Sequence, residues 1–219
     1  MRTLLDLVLP RECGGCGAVG TLWCSRCSFL LSGEPVAVTP RVDPGVPVWA
    51  LGPHSGPSRA AVIAAKERGR RDLARPLGAA LAVAVGRLRT FGEIDPPELA
   101  RLVLVPAPSR SRAARARGGD PVLAAARSAA AVLAPEPVRV ERALKFSGGV
   151  KDSVGLSARE RMENLAGRIR AAPARAAGRS ECVLFVDDVL TTGATAAESV
   201  RVLAAAGVRV DAVLVITAA

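Results

Sequence analysis

The stretch ECVLFVDD, residues 181–188, limits the fold more than any other part of the chain. Every position from Cys182 to Val186 is apolar, with no alternation. A strand with one wet face alternates polar and apolar side chains, so an unbroken apolar run implies burial on both faces. That environment exists inside a parallel sheet covered by helices on each side. Two more segments read the same way: RLVLVPAP at 101–108, stopped by Pro106, and VRVDAVLVIT at 208–217. Helical patterns separate them. PVLAAARSAAAVLA, 121–134, has Asp120 as N-cap and Pro121 at the first helical position. TAAESVRVLAAAG, 195–207, ends at Gly207. The alternation from about residue 100 onward predicts an α/β domain with a parallel sheet flanked by helices.

The rest of the chain fits around it. Residues 48–51 and 137–144 are expected as strands. Residues 58–70 and 71–89 are expected as amphipathic helices, with Pro76 tolerable only near a helix start or as a kink. A helix is also expected over 157–169, where Ser157 and Glu160 have capping-box spacing. A length of 219 residues suits one such domain with a small appendage. No apolar run approaches the roughly 18 residues that span a bilayer. The N-terminal apolar stretch is short and interrupted by Asp6, unlike a secretory signal. A soluble, cytoplasmic protein without membrane insertion is the expectation.

The appendage is written in cysteine. CGGCGAVGTLWCSRC holds Cys13, Cys16, Cys24 and Cys27 as two C-x2-C pairs. Each pair can form a knuckle that points two sulfurs at one ion, and four thiolates close a tetrahedral structural zinc site. Zinc would contribute about 10–16 kcal/mol to folding a segment this short. Disulfides are disfavoured in a cytoplasm, and an iron–sulfur site is the competing metal assignment. Cys182 stands apart in an apolar strand and reads as a core residue. The lone His54 lies among Gly, Pro and Ser with no partner nearby in sequence. The proline-rich residues 33–47 read as a linker. Residues 1–40 are then the zinc module and linker, and residues 45–219 the main domain.

Strand 183–186 runs into Asp187 and Asp188, then into Thr191, Thr192, Gly193, Ala194 and Thr195. Small residues let backbone N–H groups approach a phosphate, the helix start adds positive dipole, and the threonines add hydroxyl donors. The aspartates would repel a phosphate but accept hydrogen bonds from hydroxyls, or hold a metal ion. A ribose 5-phosphate fits both halves. An acidic N-cap or a magnesium site of the response-regulator type is the competing use of such a pair. Net charge is +10 with only three lysines, so arginine carries the excess. Arginine's planar fork suits phosphate, whether in a nucleic acid or in a small metabolite. With four Phe, two Trp and no Tyr, base stacking on aromatic platforms is disfavoured. Arg110, Arg112, Arg115 and Arg117 form a run without an acid, suited to neutralising diphosphate or to a solvated basic face.

VLFVDDVLTTGAT resembles the phosphoribosyl-pyrophosphate (PRPP) motif of type I phosphoribosyltransferases. The four-cysteine module, AAKERGR, VLVPAPSRSRAARARGGD and GLSARERMENLAG occur in that order along the chain. Together they resemble the ComF family, which is associated with DNA uptake in natural competence. The resemblance implies a type I phosphoribosyltransferase-like parallel sheet with a small hood. It implies that Asp187 and Asp188 meet ribose hydroxyls and that residues 191–195 hold the 5-phosphate. It also places Ser109 and Arg110 nearest the diphosphate, residues 115–119 on a mobile covering loop, and Lys66 as the basic residue of an N-terminal helix. PRPP with Mg2+ is the implied ligand, and phosphoribosyl transfer the implied chemistry. Single-stranded DNA and DNA-uptake proteins are the implied partners, and non-catalytic DNA binding or nucleotide sensing is the alternative. The chain departs from the family where Gly119-Asp120-Pro121 replaces an F-N-Q segment, and where no glutamine precedes Gly155.

Overall fold

The computed structural model of the chain describes residues 11–109, 119–147, 167–172 and 180–219. The helix expected over 157–169 lies almost wholly outside them. The elements are α1 (Ser25–Leu31), β1 (Val36–Ala37), β2 (Val48–Ala50), α2 (Gly56–Lys66), α3 (Ala74–Thr90), β3 (Arg101–Pro106), α4 (Pro121–Val132), β4 (Arg139–Val140), β5 (Leu144–Phe146), β6 (Ile169–Ala171), β7 (Glu181–Leu190), α5 (Ala194–Ala205) and β8 (Ala212–Ala218). A 3-10 turn, Arg71–Leu73, leads into α3, so Pro76 falls in the first turn of that helix, where its missing N–H costs little.

Six strands form one sheet in the order β1-β2-β8-β7-β3-β4, and β5 and β6 form a separate antiparallel ribbon. Only β1 runs antiparallel to its neighbour in the large sheet. The apolar runs occupy its centre. In register, Leu102 pairs with Cys182, Leu104 with Leu184, and Leu184 with Ala212. Side chains alternate across the pleat, so the two faces bury different residues. Leu104, Leu184, Val186, Leu214 and Ile216 pack toward α2, α3 and α4. Val105, Phe185, Val213 and Val215 pack toward α5 and the ribbon residues Leu144 and Ile169. The result is a mostly parallel sheet between two helical layers, as the apolar runs require.

Small residues let the helices close tightly. A Cβ on Gly78 of α3 would meet Ser128 and lie 2.6 Å from the Ala125 carbonyl oxygen of α4. At the first turn of α4, Asp120 Oδ1 accepts from the Leu123 N–H at 3.1 Å, the expected N-cap. Arg89 and Glu136 form a two-pronged ion pair at 2.7 and 2.6 Å, both side chains largely buried.

Two segments depart from the sequence expectation. The expected strand over 137–144 is two short strands in different sheets, β4 and β5, with Arg139 holding Glu141 and Glu181 at the turn-off. The proline-rich segment 33–47 carries β1 at the sheet edge, and Val38 N–H donates to the Val48 carbonyl at 2.8 Å. Its prolines suit an edge, where no ladder donor is needed. The cysteine segment also touches the main core. Leu31 is 2 % exposed within the cluster that contains α3. Arg70, ion-paired with Asp72, donates to the carbonyls of Glu12 and Leu22 at 3.1 and 3.4 Å.

Candidate functional site

The strand order fixes where a ligand can enter. β3 leads through α4 to β4 on one side, and β7 leads through α5 to β8 on the other. Between β3 and β7 the connections diverge, and this switch point is where open parallel sheets bind ligands. The β3–β7 pairing ends at Pro106 and Val186, with a last bond from the Ala107 N–H to the Val186 carbonyl. β7 continues beside β8 to Leu190. Asp187 and Asp188 therefore sit just where β7 loses one neighbour. They lie inside the strand, two residues before its end, rather than at its terminus.

Successive residues face opposite sides, so the two acids divide the site. Asp188 points toward α2 and α3. It is 6 % exposed, and Lys66 Nζ at the end of α2 donates to its Oδ1 at 2.9 Å. Behind it a cavity of about 10 Å³ is walled by Val62, Leu77, Val122 and Ile216, which leaves the carboxylate little solvent. Asp187 Oδ1 accepts from the Asp188 N–H at 2.8 Å. Burial, and then the neighbouring Asp188 charge, push the Asp187 carboxyl up to about 8, against the pull of Lys66. Two carboxylates this close resist joint ionisation, and the arrangement favours a ligand that brings hydroxyl donors or positive charge.

The loop beyond is held open by backbone geometry. Gly193 has φ of 88° and caps α5, which begins at Ala194, one residue earlier than the sequence suggests. A Cβ here would collide with the Val42 carbonyl oxygen and lie 2.7 Å from Pro40 Cβ. Val42 N–H donates to the Thr192 carbonyl at 2.8 Å, so residues 40–42 brace the loop from outside. Thr192 is buried, with its Oγ1 3.4 Å from the Ala194 N–H. Thr191 is exposed and Thr195 half-buried. The loop and the first turn of α5 thus present small residues and amide donors beside the acidic pair.

Ser109 follows β3 and is half-buried. Arg110, Arg112, Arg115 and Arg117 lie outside the described residues. Lys66, 122 positions from Asp188 in sequence, is brought directly onto it. His54 is the residue that sequence reasoning passed over. Its backbone N–H donates to the Ala218 carbonyl at 2.6 Å, and its Nδ1 lies 2.8 Å from Thr217 Oγ1. The missing signal was tertiary: its partner is 163 residues away.

The four N-terminal cysteines converge. Their Sγ atoms lie within 4.8 Å of one another, and Cys16 and Cys24 sulfurs are 3.5 Å apart. A tetrahedral zinc at about 2.3 Å from each sulfur sets them roughly 3.8 Å apart, so the cluster fits such an ion. Burial opposes the Cys13 thiolate, but the N–H groups of Cys16, Gly15 and Cys24 outweigh it and bring the thiol down to about 6. Gly15 leaves room for the fold of the knuckle: a Cβ there would lie 2.7 Å from Cys27 Sγ. Cys182 is buried, and desolvation, with Asp211 next, pushes its thiol up to about 11, as befits an inert core residue. None of the five cysteines is disulfide-bonded. Among the described residues, no helix is long and apolar enough to cross a membrane.

No protein-family model matches the chain, and no curated protein matches it significantly.

Proposed function

We propose that this chain binds a phosphoribosyl ligand, PRPP or a ribose 5-phosphate nucleotide, and that it is a ComF-like member of the type I phosphoribosyltransferases. One observation carries the reading. An acidic pair (Asp188 buried, Asp187 half-buried), a glycine-capped small-residue loop and a helix start stand side by side at the switch point of a parallel sheet. The loop and the first turn of α5 receive the 5-phosphate, and Asp187 and Asp188 accept hydrogen bonds from the ribose hydroxyls. A hydrogen bond to the charged member of the pair contributes about 1.5–3 kcal/mol, and one to the protonated member about 0.5–1.5 kcal/mol. PRPP brings Mg2+ with it, and that ion offsets diphosphate charge.

In a transfer reaction, an acceptor nucleophile bonds to C1 as the bond from C1 to diphosphate breaks, and negative charge builds on the departing diphosphate. The arginines at 110, 112, 115 and 117 are assigned to stabilise it, with Ser109 beside them. The four cysteines hold a structural zinc that fixes the N-terminal module. A role in DNA uptake follows from the family resemblance.

A second reading, direct binding of single-stranded DNA, is favoured by a specific feature. Lys145 of β5 pairs in register with Arg170 of β6, both exposed. Like charges opposite one another destabilise a ribbon unless an anion sits between them.

Screening bases, amines and nucleotides for diphosphate release from PRPP separates transfer from binding. Release above the buffer rate with one acceptor class supports catalysis. Tight PRPP binding without release leaves a sensor. DNA binding requires oligonucleotide affinity that falls steeply with salt, and negligible affinity at low salt removes it.

A further inference from the structure

We propose that His54 is a ligand-contacting residue of the acidic-pair crevice, offering its Nε2 as hydrogen-bond acceptor to an N–H or O–H group of the bound molecule. This inference rests on reading the crevice as a ligand site.

The geometry begins with β8. Pro53 bridges Ala218, and His54 N–H bonds the Ala218 carbonyl, so the segment after β2 is pinned along the carboxyl end of the sheet. That is the rim on which Asp187, Asp188 and the loop 191–193 stand. The ring is then fixed by a relay. His54 Nδ1 lies 2.8 Å from Thr217 Oγ1, and Thr217 Oγ1 lies 3.4 Å from the Asp188 carbonyl oxygen. Thr217 is fully buried, so its hydroxyl has no water to turn to.

Both contacts can be hydrogen bonds at once in only one arrangement. The Asp188 carbonyl has no hydrogen to give, so the hydroxyl must donate to it. Nδ1–H must then donate to the hydroxyl. That assignment leaves Nε2 with a lone pair and no proton. The charged groups facing the ring are Arg59, Lys66 and Asp188. Burial first, then Arg59, hold the imidazole below its ordinary value, with Lys66 adding to them and Asp188 opposing. The ring is therefore neutral near pH 7, and Nε2 is available. A neutral acceptor beside two acids that share one charge near pH 7 adds an uncharged contact where a third carboxylate would only add repulsion.

The chain has a single histidine, which makes the test direct. Untagged protein with 15N-labelled histidine is titrated with ribose 5-phosphate and with PRPP plus Mg2+, with calorimetry in parallel. The expected spectrum of the free protein shows Nδ1 protonated and Nε2 bare, and the Nε2 resonance moves as the calorimetric site fills. His54→Asn keeps a donor near Thr217 but removes the Nε2 acceptor. It should weaken ribose 5-phosphate about 2- to 12-fold, the range for one neutral hydrogen bond. Thr217→Val should erase the preference for the Nδ1–H form. An Nε2–H tautomer in the free protein overturns the proposal. So does a ring resonance unmoved at calorimetric saturation, or His54→Asn binding as tightly as the parent. In those cases the crevice remains a phosphoribosyl site. Absence of both heat and shifts with either ligand fails that underlying reading, and this inference falls with it.

Discussion

Replacing Lys66 with methionine isolates the charge that tempers the acidic pair. The methionine keeps most of the stem's packing on α2 and deletes the ammonium that sits 2.9 Å from Asp188 Oδ1. Hydrogen bonds to charged groups contribute about 1.5–3 kcal/mol when well shielded. Lys66 is 47 % exposed, so solvent screening lowers this to roughly 1–2 kcal/mol. The pH dependence has a definite sign. The Asp187 carboxyl is raised from 3.8 to about 8, so the folded state keeps a proton that the unfolded chain has lost. Stability therefore falls as pH rises from about 4 toward 8, then levels off. Lys66 is the charge that lowers the folded value. Without it the decline continues past 8. The two proteins should differ at pH 5 by the lost Lys66–Asp188 ion pair, and the difference should widen at pH 8–9 as Asp187 ionises. A gap of 1–2 kcal/mol corresponds to roughly 2–8 °C in Tm for a chain of this size. Thermal melts at pH 5, 7 and 9 measure it. Equal Tm at all three values, or a gap that does not widen from pH 5 to pH 9, would refute a coupled acidic pair held by Lys66.

Other consequences are as specific. Gly193→Ala puts a side chain at φ 88° against Val42 and Pro40, and should cost about 1–3 kcal/mol in urea unfolding; a neutral result would mean residues 40–42 do not brace the loop. Chelation should remove one zinc per chain, and the melt should then lose cooperativity beyond the module, because Leu31 and Arg70 tie it to α3 and the turn before it. Finding iron by elemental analysis, or an unchanged melt after metal removal, contradicts the zinc assignment. Arg89→Met should destabilise by about 3–5 kcal/mol by stranding the Glu136 carboxylate, and Arg89→Met with Glu136→Leu should recover most of it; equal losses in both would mean packing dominates.

The sheet was legible because its strands are apolar at consecutive positions, a pattern only double burial explains. Asp120 and Pro121 likewise gave away the start of α4 through chemistry confined to neighbouring residues. Legibility failed where structure depends on distant partners. Residues 33–47 look like a linker because four prolines disfavour a ladder, yet an edge strand asks little of them. Residues 137–144 look like one strand because nothing local records that Arg139 turns toward Glu141 and Glu181. At the site, the acids and the glycine loop are contiguous and were visible. The Lys66–Asp188 pair is not recorded by local pattern, and nothing near His54 in sequence points to Thr217, 163 residues away.

The central claim is that the acidic pair and the loop after it form a phosphoribosyl site. Isothermal titration of the zinc-loaded protein with PRPP and Mg2+ tests it, run beside Asp187→Asn and Asp188→Asn variants. A phosphoribosyl site predicts one-to-one binding by the parent, weakened at least tenfold in Asp188→Asn, the loss of one hydrogen bond to a charged acceptor, and about 2- to 12-fold in Asp187→Asn, whose carboxyl keeps its proton up to about pH 8. No heat from the parent, or equal affinity in all three proteins, contradicts it.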